Sequence, residues 1–143
     1  MMKTPFHFLM FKTYHAQRNR IRLNMDKYGL SPGQPKVLRY ISTHQNCKLK
    51  DIACECDVES ATVSKILNNL EEAKLLTRKI DPTNKRALQL QITTQGKKAL
   101  AHWDIHCHEV EEISLQGFSE IEKAHFEQYL ARMYQNLSGK IIE

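Results

Sequence analysis

A mainly α fold with one small antiparallel β-hairpin is what this sequence predicts, and three observations carry it. Apolar residues recur at helical spacing over most of the chain. Two stretches, 76–80 and 88–92, switch to strict alternation. Gly and Pro are scarce, five and four of 143 residues, which leans toward helix. The apolar share of 41% suits one packed domain with helical arms and is too high for a disordered chain.

The elements follow in order. Residues 6–28 read as one long helix, because Phe6, Met10, Tyr14, Ile21, Met25 and Tyr28 recur at near-helical steps, with Gln17 the polar member of the stripe. Gly29 ends it. Ser31 as N-cap, Pro32 at N1 and Gln34 at N3 predict a capping box that opens a second helix, running to about Thr43 with Val37, Leu38 and Ile41 inward. Two short helices are expected next, at 48–55 and 60–73. Leu49, Ile52 and Ala53 face inward from the first; Val63, Ile66, Leu67 and Leu70 do so from the second. Their link, Cys56-Asp57-Val58, is a tight turn in which Asp57 tolerates a left-handed backbone. The small Ala53 lets the two helices cross closely, as in a helix-turn-helix.

The strands at 76–80 and 88–92 flank a polar turn, 81–87, whose adjacent cations Lys85 and Arg86 give the hairpin a basic tip. Thr93 or Thr94 caps a helix of about 94–115 with Leu100, Trp103, Cys107 and Val110 as its stripe. Gly117 breaks the chain, and Ser119 with Glu122 is another capping box. The last helix, 119–138, carries Phe126, Tyr129, Leu130, Met133 and Leu137.

A helix-turn-helix followed at once by a basic hairpin is a winged helix-turn-helix. The charge distribution agrees with a polyanionic partner. Residues 1–30 carry six Lys/Arg against one acid and residues 31–98 twelve against seven, whereas residues 99–143 carry three against eight. An α-helix fits the major groove of B-DNA, and the N-terminal end of the second helix reaches base edges. Off its core face stand Ser60, Thr62, Ser64, Lys65, Asn68 and Asn69, short hydrogen-bonding side chains plus one cation. Lys85 and Arg86 can reach a neighbouring minor groove. Lys36, Arg39, Lys48, Lys50, Arg78 and Lys79 are candidate phosphate contacts, which position without specifying sequence.

At this point the sequence resembles the MarR-type (multiple antibiotic resistance regulator) transcription factors over nearly its whole length. The resemblance rests on residues 29–38 (GLSPGQPKVL), 61–71 (ATVSKILNNLE), 78–87 (RKIDPTNKRA) and 92–96 (ITTQG). It implies a homodimer built from the N- and C-terminal helices, bound to a near-palindromic operator on double-stranded DNA. It also implies Arg86 as the wing arginine and Asp81 as the acid that braces it. Three positions depart from the family pattern. Lys74 stands where glycine usually follows the recognition helix, Lys85 and Asn84 replace an arginine and an acid of the wing, and Glu59 replaces the usual Ser or Thr N-cap. Expected domains are therefore 1–30 as an N-terminal dimerisation helix, 31–98 as the DNA-binding lobe and 99–143 as C-terminal dimerisation helices. Two long amphipathic helices at opposite ends of the chain expose more apolar stripe than so small a lobe can cover, which independently favours a symmetric pair.

Other chemistry is weaker. His102, His106 and Glu109 have the i, i+4, i+7 spacing of a metal face, though with seven His in the chain such clustering arises easily. Cys54 and Cys56 face different directions on a helix, and the one hint of the positive surroundings that lower a thiol pKa is Lys48 beside Cys47. No Gly-rich phosphate loop, nucleophile elbow or paired-carboxylate motif appears, so no enzyme and no cofactor are expected. No apolar run approaches the ~18 residues of a membrane span. The apolar N-terminal stretch is too short and too interrupted for a signal peptide, so a cytoplasmic protein is expected. The reading is a DNA-binding regulator, a repressor by family habit, that responds to a small-molecule effector for which Tyr14, Arg18 and Trp103 are candidate contacts. The alternatives are a metal- or redox-responsive regulator of the same fold and a winged helix used only for protein interaction.

Overall fold

The structure, a computed structural model, describes residues 2–44, 47–80, 82–83 and 88–142, with the backbone alone at 80 and 88. Among the described residues the order is α1 (Phe6–Arg22), a 3-10 turn (Met25–Tyr28), α2 (Gln34–Thr43), α3 (Leu49–Glu55), α4 (Ser60–Glu72), β1 (Leu76–Ile80), β2 (Leu88–Ile92), α5 (Thr94–Ser114) and α6 (Glu120–Ser138). The predicted class is the observed one: helices around a single antiparallel hairpin. The chain divides into two compact units, Met1–His108 and Glu109–Glu143.

The core of the first unit is the predicted one. Val37 and Leu38 of α2, Ile52 of α3, and Val63, Leu67 and Leu70 of α4 are fully buried. Burying an aliphatic side chain of this size contributes about 1.5–3 kcal/mol. Leu100 and Trp103 of α5 join the same cluster, with Cys107 packed against it.

Both helices of the helix-turn-helix end in the same main-chain device. After α3, the Val58 N–H donates to the Ala53 carbonyl (3.0 Å) and the Asp57 N–H to Cys54 (3.4 Å). After α4, Leu75 donates to Leu70 and Lys74 to Glu71, both at 3.0 Å. Each is a Schellman pattern that requires a left-handed residue. Asp57 (φ 53°) and Lys74 (φ 62°) supply it without being glycine. Thus Lys74 adopts a left-handed conformation that favours glycine, at a cost of about 1–2 kcal/mol.

The hairpin has the predicted limits and pairs Leu76 with Ile92 and Ile80 with Leu88. Thr93 fastens its base. The Thr93 N–H donates to the Leu75 carbonyl (3.1 Å) and its hydroxyl to the Lys74 carbonyl (2.8 Å). The same hydroxyl oxygen accepts from the Gly96 N–H (3.0 Å), which caps α5. In the second unit the Ser119/Glu122 capping box is formed in both directions (3.1 and 2.9 Å).

Two expectations need correction. The helix of residues 6–28 is not continuous. It stops at Arg22, Leu23 is extended, and Asn24 is left-handed (φ 57°), which Asn tolerates. The 3-10 turn that follows buries Met25 and half-buries Tyr28, while Phe6, Met10 and Tyr14 remain exposed. Helical periodicity passes through the break because a 3-10 turn nearly preserves it. The second helix begins at Gln34, not at Pro32. Half of the capping box exists, the Ser31 N–H donating to Gln34 Oε1 (2.8 Å). Gly33 at φ 86°, however, makes residues 31–33 a turn ahead of the helix.

Candidate nucleic-acid interface

The candidate interface is the outer face of α4. Its inner face is fixed by Val63, Ile66, Leu67 and Leu70, all buried. At 100° per residue the opposite face is centred on Ala61, Lys65 and Asn68, flanked by Thr62 and Asn69, and all five are exposed. Thirteen residues make a rod of about 20 Å, roughly 10–12 Å across, which matches the width of the major groove. Ser60 opens the helix and is exposed, so its hydroxyl lies at the end that a docked recognition helix presents to the bases. Glu59 sits at the N-cap and makes no side-chain cap bond, leaving the first-turn N–H groups without that partner.

Not every predicted contact keeps its place. Ser64 is half-buried, standing about 110° from the centre of the apolar face and so off the centre of the outer one. Arg78 is committed within the protein: its guanidinium donates to Asn68 Oδ1 (2.8 Å) and approaches Glu71 Oε1 (3.5 Å). That bond ties β1 to α4 and orients the Asn68 amide. Arg39 is likewise paired, with Asp104 of α5 through both guanidinium nitrogens. Neither arginine is a free phosphate contact in this conformation. Lys36 on α2, Lys50 and the N-cap Lys48 at α3, and Lys79 on β1 are at least partly exposed. α2, α3 and α4 pack on one another, so these cations belong to a single lobe with Lys65. Asp81, Lys85 and Arg86 lie outside the described residues. Ala61 has no hydrogen-bonding side chain to single it out in the sequence, although its methyl occupies the centre of the exposed face and suits contact with a thymine methyl.

The remaining candidates are scattered. Tyr14 is exposed on α1, and the Arg18 guanidinium lies 3.1 Å from His15 Nδ1. Trp103 is a core residue, 6% exposed, with its ring edge-on to Tyr28 at 6.0 Å. His106 is held by the Ile21 carbonyl (2.8 Å) and packs on Tyr28 and Trp103. Among the described residues no group of three His, Cys, Asp or Glu side chains converges as a metal site. Burial pushes the Cys47, Cys56 and Cys107 thiols up, away from the thiolate form that oxidant sensing needs. Cys54 is the exposed thiol.

A separate cavity of about 260 Å³ lies where the end of α4 meets the start of α5, lined by Lys27, Tyr28, Leu75, Lys98, Ala99 and His102 among others. None of the three residues suggested for an effector lines it.

Comparison with known proteins gives a consistent picture. Residues 30–88 match the model of the MarR family. The transcriptional regulator BilQ of Clostridioides difficile (strain CD3) is 30% identical over 86 residues, 55% of this chain and 58% of that protein. MhqR of Bacillus subtilis (strain 168), also a transcriptional regulator, is 27% identical over 116 residues, 80% of each chain. The chain spans about half the length of the first two curated relatives it matches. In three dimensions it superposes on S. aureus MepR, solved as a DNA complex, with a TM-score of 0.84 and 24% identity over 94% of this chain and 99% of the other. The named relatives are transcriptional regulators rather than enzymes.

Proposed function

From the premise that this chain belongs to the MarR family, we propose that it is a sequence-specific DNA-binding transcriptional regulator. The observation that carries the reading is the outer face of α4, where Ala61, Thr62, Lys65, Asn68 and Asn69 stand exposed on a helix whose other face is locked into the core. We further propose that it acts as a homodimer on a near-palindromic operator, as a repressor released by a small ligand. Segments 1–30 and 99–143 supply the dimer contacts. Phe6, Phe8, Leu9 and Phe11 of α1, and Ile121, Phe126, Tyr129 and Leu130 of α6, are exposed in the single chain, and pairing would cover them. Two recognition helices would then sit about 34 Å apart, one DNA turn.

Fluorescence anisotropy with the gene's own upstream DNA tests this at two salt concentrations. Neutralising six to ten phosphates makes affinity fall about 10³–10⁵-fold between 50 and 200 mM salt. Lys65→Ala or Thr62→Ala should change base preference, and Arg86→Ala should weaken binding to all sequences alike. Sedimentation velocity reads the dimer. Absence of salt-sensitive binding to any genomic fragment would sink the regulator reading, and an inert Arg86→Ala would remove the wing from it.

A further inference from the structure

We propose that Arg78 is a positioning residue for base reading: it clamps the Asn68 amide so that only hydrogen-bond donors face the DNA, which selects guanine at the base Asn68 meets. This rests on the regulator reading and deepens it. Asn68 and Glu71 stand one turn apart on the outer side of α4, at i and i+3. The Arg78 guanidinium comes to them from β1. Its Nη2 donates to Asn68 Oδ1 (2.8 Å) and lies 3.5 Å from Glu71 Oε1. A guanidinium carries donors and no acceptor, so an amide that meets it must turn its oxygen toward it. The flipped amide would set NH2 against N–H. Asn68 is exposed, and among the described residues no acceptor takes its Nδ2 hydrogens. Accepting a bond from a cation at Oδ1 also polarises the amide and strengthens those donors.

The clamp changes what this asparagine can read. An unrestrained asparagine pairs with adenine through two bonds, Nδ2 to N7 and N6 to Oδ1. With Oδ1 held by Arg78, the second bond is lost and the adenine N6 amino group meets only donors. Guanine offers two adjacent acceptors, N7 and O6, to the Nδ2 hydrogens. Cytosine presents its N4 donor and is rejected; thymine has one acceptor, O4. The position is suited to the task, because Asn68 shares the centre of the exposed face with Ala61 and Lys65.

The test selects bound duplexes from a random-sequence DNA library with the full-length protein and sequences the enriched pool. Asn68→Ala, Asn68→Asp and Arg78→Met are carried through the same selection. The parent should enrich guanine about fivefold or more at one position where Asn68→Ala shows no preference. Asn68→Asp keeps the bond to Arg78 but faces the DNA with an acceptor, so guanine should give way to cytosine there. Arg78→Met keeps the length of the stem and removes the donor, so Oδ1 is freed and adenine should replace guanine. Preferences elsewhere should stay as in the parent. Damage to the fold or a change in overall charge lowers affinity for all duplexes alike and does not exchange one base for another. Base preferences unchanged by Asn68→Asp or by Arg78→Met, or an Asn68-dependent position that is adenine in the parent, would overturn the clamp and leave the regulator reading standing. A parent that enriches no duplex at all would overturn both.

Discussion

Gly96→Ala isolates one close approach in this fold. Gly96 sits in the first turn of α5 with its Cα against the main chain where α4 gives way to β1. A Cβ at this position would enter the van der Waals envelope of the Leu75 carbonyl oxygen, 3.2 Å from the Leu75 carbonyl carbon and 2.8 Å from Ile92 Cγ1. Side-chain repacking can relieve the contact with isoleucine but not the one with main chain. To admit the methyl, α5 must back away from Leu75. That movement stretches the Thr93 N–H to Leu75 carbonyl bond from 3.1 Å toward the limit of a hydrogen bond. Overpacking costs about 1–3 kcal/mol, and a buried carbonyl left without its donor about 1–3 more. Alanine returns up to about 1 kcal/mol through helix propensity. A net loss of roughly 2–3 kcal/mol follows, a fall in Tm of roughly 8–12 °C for a chain of this size. Urea denaturation followed by circular dichroism would show the midpoint falling at constant slope. Gly29→Ala is the control. That glycine is also left-handed (φ 71°), but a methyl on its Cα would meet nothing within 4 Å, so only backbone strain of about 1–2 kcal/mol applies. If Gly96→Ala melts at or above the parent, or loses no more than Gly29→Ala, the packing argument is wrong.

Three further outcomes can be checked. Lys74→Gly should raise stability by about 0.5–1 kcal/mol, since it removes the left-handed penalty but adds chain entropy to the unfolded state; a lower Tm would contradict this. The Ser119 backbone and hydroxyl hold the Glu122 carboxyl below its ordinary value, so its contribution to α6 is present above the unfolded carboxylate pKa and is lost as pH falls through the folded one. Glu122→Gln should therefore flatten the acid limb of a helicity titration at 222 nm, and an unchanged limb would refute the link. Thiol labelling at pH 7.5 should modify Cys54 first and reach Cys47, Cys56 and Cys107 only as the protein unfolds, because burial lifts those three pKa values; early modification of Cys47 would count against that order.

Most of the fold was legible because its cores are periodic. Val63, Ile66, Leu67 and Leu70 mark one face of a helix, and alternation at 76–80 and 88–92 marks the strands to the residue. Breaks that leave periodicity intact were not legible. Asn24 interrupts the predicted first helix while Met25 and Tyr28 keep to the stripe, and Gly33 displaces the start of α2 while Gln34 still bonds back to Ser31. For the candidate interface, the sequence marks which residues stand exposed on α4 but not which cations are already paired. Arg39 and Arg78 looked like free cations because their partners are remote in sequence: Asp104 is 65 residues from Arg39, and Asn68 is ten from Arg78. Ala61 carries no polar atom to draw attention, and its importance lies only in where the helix points it.

The joint at Thr93 has a consequence for how such a chain can vary. The hairpin is fastened to the end of α4 through the carbonyls of Lys74 and Leu75, main-chain groups that every sequence possesses. The residues between positions 80 and 88 can thus change in number or chemistry without re-aiming α4. If α4 reads DNA as proposed, its outer face and the segment between the strands are separately mutable, because the base of the hairpin keeps the alignment.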